Sequence, residues 1–188
     1  MENLTDKKIE ELEVTANNIR TSIIEMLLKA KSGHTAGPLG MTDIFTLLYF
    51  HALRHDKDRL DWKERDRLVL SNGHIAPVLY ATMAHAGYMP IKELLTLRKF
   101  GSRLQGHPHR EYMPWLETSS GPLGCGLSQA VGMALADRID YGNNTDKTIY
   151  ALLSDGEHDE GNTWEAVLLA GKEKLRNLIA IVDRNNIQ

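Results

Sequence analysis

The sequence predicts an α/β fold, a parallel sheet flanked by helices, and three observations carry that reading. Residues 148–153 and 178–182 are short, apolar and bounded by polar residues, as buried strands are. Between them Trp164, Val167, Leu168, Gly171 and Leu175 recur at helical spacing, with Asp159 and Glu160 at the positive end of that helix. Each apolar run ends in a polar turn, Ser154-Asp155-Gly156-Glu157 after the first and Asn185-Asn186-Ile187 after the second. Strand, helix and strand in this order make a βαβ unit with parallel strands and a right-handed crossover.

The other elements follow in chain order. Leu12, Ala16, Ile19, Ile23, Met26, Leu27 and Ala30 form a helical stripe that Gly33 stops. Thr42 and Asp43 open a second helix that runs through Tyr49 and Phe50. Residues 54–67 are charged and read as a solvated connection. Residues 67–70 form a short strand that ends at Ser71-Asn72-Gly73-His74. Residues 75–85 are helical, with Gly87 as the cap, and 91–100 form another short helix. Residues 101–122 hold six glycines and prolines and read as a long loop, a length that is usually functional or disordered. Residues 123–139 form a helix rich in small residues, among them Gly124, Gly126 and Gly132. Each glycine costs about 1 kcal/mol against alanine. Close packing against another helix or a ligand would explain them; a weakly stable helix is the plain alternative. No repeat, low-complexity tract or linker interrupts the chain, so residues 1–188 read as one domain.

Composition narrows the function. With 42% hydrophobic and 25% charged residues in 188, the chain has a globular core. A net charge of −3 gives no electrostatic case for nucleic acid or an anionic membrane. The single cysteine, Cys125, excludes an internal disulfide and a cysteine metal cluster, and it reads as a small buried residue. The polar, acidic start resembles neither a signal nor a transit peptide, and no apolar run approaches the ~20 residues of a membrane span. A cytoplasmic location is the expectation.

The chemistry concentrates at the strand ends. Asp155 and Asn185 are 30 residues apart, each just past a strand. Ligands of open α/β sheets bind outside the carboxyl ends of the strands. The turn beginning at Gly156 offers backbone N–H groups suited to a phosphate. Mg²⁺ takes oxygen ligands in an octahedron, and a carboxylate, a carboxamide oxygen and a backbone carbonyl suit it. Either residue alone is more commonly a turn former; the combination is far more specific. Three histidines lie in glycine-containing loops: Ser32-Gly33-His34, Ser71-Asn72-Gly73-His74 and Gly106-His107-Pro108. Their spacing fits no zinc motif. Imidazoles, with an ordinary pKa of ~6.5, suit proton transfer near neutrality.

Taken together these motifs resemble a transketolase, specifically the diphosphate-binding subunit of the split-gene type. The signatures stand in order: SGH at 32–34, LSNGH at 70–74, FGSRLQGHP at 100–108, GPLGCG at 121–126 and SDG…N at 154–185. Two differ from the family pattern, with Cys125 replacing a glutamine and Ser154 the first glycine of GDG. The resemblance runs from about residue 12 to residue 188.

It implies a thiamine diphosphate-binding fold, here incomplete, because family subunits continue for dozens of residues beyond Gln188. It implies Mg²⁺, with Ca²⁺ or Mn²⁺ as substitutes, held by Asp155, Asn185 and the backbone oxygen of Ile187. Gly156 and Glu157 belong to the cofactor-binding turn, and Gly121, Pro122 and Leu123 line the thiamine ring. His34, His74 and His107 contact sugar hydroxyls, the reacting carbonyl region or the diphosphate. Of these, His34 and His107 fall on the catalytic side and His74 on the cofactor side. Glu160 meets a partner's active-site glutamate, or acts as a helix N-terminal acid; the two readings coexist. The expected activity is transfer of a two-carbon ketol unit between phosphorylated sugars. The expected partner is a pyrimidine-domain subunit, in a homo- or hetero-oligomer. A non-catalytic, truncated thiamine diphosphate-binding or interaction module is the alternative.

Overall fold

The structure is a computed structural model that describes residues 4–142 and 145–186. The chain divides into two compact units, one of Met1–Asp58 and His74–His107, the other of Arg59–Gly73 and Pro108–Gln188.

The first unit is helical. Its helices are α1 (Asp6–Ala30), α2 (Ala36–Gly40), α3 (Thr42–Leu47) and α4 (Ala76–His85). The Thr5 side chain caps α1 by accepting from the Lys8 amide at 3.2 Å, which satisfies one orphan donor of the first turn. The expected stripe is the buried face: Ala16, Ile19, Ile23, Met26 and Leu27 are buried, and Leu12 and Ala30 are half-buried at its ends. This face packs against α3, α4 and a 3₁₀ segment at Ile91–Thr96. Phe45, Leu48, Leu79, Met83, Leu94 and Leu97 are buried in the same unit.

Three local expectations are corrected here. The stop of α1 is Lys31, not Gly33: Lys31 adopts φ 53° and its amide returns to Leu27 O at 2.8 Å. The second helix does not run unbroken to Phe50; α3 ends at Leu47 and the chain widens into a π turn, Leu48–Ala52. Residues 91–100 form only one 3₁₀ segment, because Leu97 turns away with ψ 128°. Gly87 does cap α4, with φ 85° and its amide bound to Ala84 O.

The second unit is the α/β part. Strands β1 (Arg67–Leu70), β2 (Ile149–Ser154) and β3 (Leu178–Asp183) form a parallel sheet in the order β1-β2-β3. In register, Arg67 pairs with Ile149, Ile149 with Leu178, and Ser154 with Asp183. Helix α5 (Cys125–Tyr141) precedes β2 and α6 (Gly161–Glu173) joins β2 to β3. Alternate residues Ile149, Ala151 and Leu153 pack with Val69, Leu127, Ala130, Val131, Ala134 and Ala166 in one core. The strand–helix–strand order and the parallel pairing are therefore as expected.

Burial departs from expectation in several places. The stripe of Trp164, Val167 and Leu168 lies on α6 but faces outward, with Trp164 52% and Leu168 72% exposed. The buried residues of α6 are Thr163 and Ala166, and the helix packs chiefly against α5. Expected as a buried strand, β3 keeps Ile179 and Val182 exposed. Nor is the stretch 54–67 wholly solvated: Asp66 is buried and accepts from the Thr148 amide at 2.8 Å, and Arg65 and Arg67 both pair with Glu117. Helix α5 starts and ends two residues later than expected. Among the described residues, no helix is long and apolar enough to cross a membrane.

Candidate functional site

In the second unit, the three polar loops that follow β1, precede α5 and follow β2 meet. The turn after β2 holds Asp155, which caps a 3₁₀ segment at Gly156–Asp159. Its Oδ1 accepts from the Gly156 amide at 3.0 Å and its Oδ2 from the Asn186 amide at 2.8 Å. The Asp155 amide in turn donates to Asp183 O at 3.1 Å. Asp155 and the Asn185-Asn186 turn are thus brought together, as the 30-residue spacing implied. The Asn185 side chain also donates to Asp183 Oδ2 at 3.3 Å. Ile187 lies outside the described residues.

The Gly156 amide, expected to suit a phosphate, donates to Asp155 Oδ1. One expectation for this turn is corrected: Glu157, expected to touch a cofactor, is 0% exposed. Its Oε1 accepts from Ser71 Oγ and from the Gly124 amide at 2.8 Å, and its Oε2 accepts from the Ser154 amide at 2.8 Å. The reason is local geometry. The 3₁₀ turn folds Glu157 back under the end of β2, where buried amides need an acceptor.

The glycine loop packs closely. A Cβ on Gly73 would fall 2.7 Å from Ser120 Cβ and 2.9 Å from the Gly121 amide. A Cβ on Gly126 would fall 2.6 Å from Ser71 Cα. Close packing is therefore the reason for Gly126, though against the loop after β1 and not against a helix. Within this loop Gly121 and Leu123 are half-buried and Pro122 is exposed. Cys125, expected to be buried, is half-buried, with Asn162 Nδ2 3.7 Å from its sulfur. Asn72 is 0% exposed, and neither end of its carboxamide has a hydrogen-bond partner among the described residues. An unsatisfied buried amide costs roughly 1–3 kcal/mol, so such groups mark sites that bind water or ligand. Glu160 is exposed at the N-cap of α6, and its side chain makes no capping hydrogen bond.

The first unit collects the histidines. The His34 and His74 rings lie 4.9 Å apart, centroid to centroid. Loss of water around the ring, then the Arg98 guanidinium, then His34 hold the His107 imidazole below its ordinary 6.5. Arg98 was not singled out from the sequence. It donates to Ser32 Oγ at 2.6 Å, and a Cβ on Gly106 would fall 3.1 Å from its Nε. It thereby sits between the Ser32-Gly33-His34 and Gly106-His107 loops. Tyr80, from α4, donates to Gln105 O at 2.9 Å and anchors the second loop; burial pushes its phenol above the ordinary 10.

Residues 12–188 match the family described as transketolase, thiamine diphosphate binding domain. The chain belongs to that family. A 6-deoxy-6-sulfo-D-fructose transketolase subunit from a Clostridium species is 43% identical over 95% of this chain and 64% of its own length. A subunit of an apulose-4-phosphate transketolase from Phocaeicola vulgatus is 40% identical over 96% of this chain and 63% of its own. The chain thus spans somewhat under two thirds of these relatives. The crystal structure of transketolase from Campylobacter jejuni aligns with TM-score 0.88 and 37% identity, covering 100% of this chain and 29% of that one. The thiamine diphosphate-binding α/β fold expected from the sequence is therefore the fold of this transketolase-family chain. Its two motif sets stand as described: Asp155 beside the Asn185-Asn186 turn, and His34 with His74 and His107.

Proposed function

We propose that this chain is the diphosphate-binding component of a transketolase that moves a two-carbon ketol unit between sugars. The observation that carries the reading is the hydrogen bond from the Asn186 amide to Asp155 Oδ2, 2.8 Å long, which closes the two halves of the motif. The residues fit the cofactor: Asp155 and Asn185 offer the oxygens a hard divalent cation takes, with phosphate and water completing an octahedron. Mg²⁺ is the proposed ion, with the Ile187 backbone oxygen as a third protein ligand. The loop at Gly121, Pro122 and Leu123 would lie along the thiamine ring, and the buried Asn72 carboxamide suits a site that orders water or ligand. Thiamine diphosphate, when bound, supplies the electron sink for breaking and making the carbon–carbon bond.

The chain's own residues bind, orient and move protons. His107, held neutral at pH 7 by its lowered pKa, accepts a proton from a sugar hydroxyl and returns it. His34 assists at the same sugar and His74 contacts the cofactor. Glu160, exposed at the start of α6, reaches a carboxyl group of a partner chain. That partner brings the pyrimidine-binding domain, in a cytoplasmic oligomer. The substrates are phosphorylated sugars. The names of the two relatives extend the panel to 6-deoxy-6-sulfo-D-fructose and apulose 4-phosphate.

The test mixes this chain with a pyrimidine-domain chain, thiamine diphosphate and Mg²⁺, and assays ketol transfer from xylulose phosphate and from a sulfonated ketose to an aldose phosphate. Turnover that disappears with Asp155→Ala is the expected result. No transfer with any ketose, or an Asp155→Ala variant that binds the cofactor with unchanged Mg²⁺ dependence, overturns the reading.

A further inference from the structure

Glu157 is a buried carboxylate that ties together the three loops of the proposed cofactor site in the second unit. Its Oε1 takes the Ser71 hydroxyl from the loop after β1 and the Gly124 amide from the start of α5. Its Oε2 takes the Ser154 amide from the end of β2, with the Ser154 hydroxyl 3.5 Å away. The Ser71 oxygen extends the chain by accepting from the Gly126 amide at 3.0 Å. Its backbone is tied as well, because the buried Thr163 hydroxyl donates to Glu157 O at 2.7 Å. Four donors converge on two oxygens, which a carboxylate can accept in full.

We propose that Glu157 is a positioning residue that locks the loop ending at Gly124 to the turn carrying Asp155. The inference rests on the reading of Asp155 as the metal-holding carboxylate. Asp155 is two residues from Glu157, and Gly124 directly follows the Gly121-Pro122-Leu123 segment. A shift of either loop changes the separation of the metal ligand from the surface along the thiamine ring. Residues that hold ligating groups through hydrogen bonds typically set metal affinity by about 10–100-fold. A packing role alone predicts something else. Glutamine has nearly the same volume as glutamate, so a volume filler tolerates the exchange. A four-acceptor role does not, because the glutamine NH₂ must face either the Gly124 amide or the Ser154 amide, donor against donor.

The experiment titrates thiamine diphosphate with Mg²⁺ into the full chain assembled with its partner, read by tryptophan fluorescence. Trp164 reports on this turn, since its indole N–H donates to His158 O at 2.7 Å. Asp155→Ala, Glu157→Gln and Ser71→Ala are compared with the parent. Glu157→Gln is expected to raise the cofactor concentration at half-saturation by roughly 10–100-fold. Its kcat at saturation should stay within about threefold of the parent, because the reacting groups are untouched. Ser71→Ala, which removes one of the four donors, should raise it by a few fold. Binding by Glu157→Gln within about twofold of the parent, while Asp155→Ala loses binding, overturns the role of Glu157 and leaves the site reading intact. Unchanged binding by Asp155→Ala overturns the site reading itself. Should Glu157→Gln fail to fold, Ser71→Ala decides, and parent-like binding by that variant overturns the proposal.

Discussion

Gly126 and Gly132 lie in the same helix, α5, and their surroundings give opposite signs to the same substitution. A Cβ at 126 meets Ser71 Cα, a backbone atom that cannot rotate away, whereas a Cβ at 132 meets no heavy atom within 4 Å. Gly126→Ala is therefore expected to destabilise by ~1–3 kcal/mol through overpacking. Gly132→Ala should stabilise by ~0.5–1 kcal/mol, by removing the backbone entropy that glycine loses in a helix. Urea denaturation midpoints should move in opposite directions, and movement in one direction would contradict this account. The sequence placed both glycines in one group of small residues. It could not separate them, because the neighbour that distinguishes Gly126 is 55 positions away. Glu157 was misread for the same reason. Its motif position pointed at a cofactor, but its donors come from Ser71 and Gly124, which only the folded chain brings near.

Elements were legible where a period persists over many residues. The stripe of α1 depends only on 3.6 residues per repeat, and β2 was legible as a short continuous apolar run between polar bounds, buried along its whole length. Ends and orientations were less legible, because they are settled by single contacts. Helix α6 shows this: its large apolar residues have helical spacing, yet Thr163 and Ala166 are the buried ones, and the helix packs chiefly against α5. The end of α1 shows it too. A glycine two residues on looked like the stop, but Lys31 takes the left-handed conformation, φ 53° and ψ 27°. An L-residue with a Cβ is strained there by roughly 1–2 kcal/mol. Lys31→Gly should relieve that strain and, after the added entropy of the unfolded chain, raise stability by about 1 kcal/mol. A lower thermal midpoint for this variant would show that the Lys31 side chain contributes more than its backbone costs.

At the scale of the whole molecule, the histidine cluster was legible only through the order of its motifs. Nothing in their spacing brings His34 to 4.9 Å from His74; α1, α4 and the loop that Tyr80 anchors do so together. That arrangement has a consequence for the stability of the entire chain. His107 is held below its ordinary 6.5 first by loss of water, then by Arg98 and His34. His85, whose Nε2 lies 3.0 Å from Ser22 Oγ, is held below it by burial alone. Between the lowered folded pKa and 6.5, the unfolded chain binds more protons than the folded chain. Stability therefore rises with pH across that window. The contribution of both rings is fully present above 6.5 and is lost as pH falls toward their folded values. Glu173 opens a separate window further down. Its hydrogen bond from Arg138 holds it below its ordinary 4.5, so its contribution persists above 4.5 and is lost as pH falls through the folded value. Urea midpoints measured from about pH 8 to about pH 5 should accordingly be level at first and then decline below the ordinary histidine pKa. His85→Gln, which keeps a polar neighbour for Ser22 but cannot titrate, should make that decline shallower. Midpoints that hold constant or rise on acidification through this range would mean that neither imidazole favours its neutral form in the folded chain.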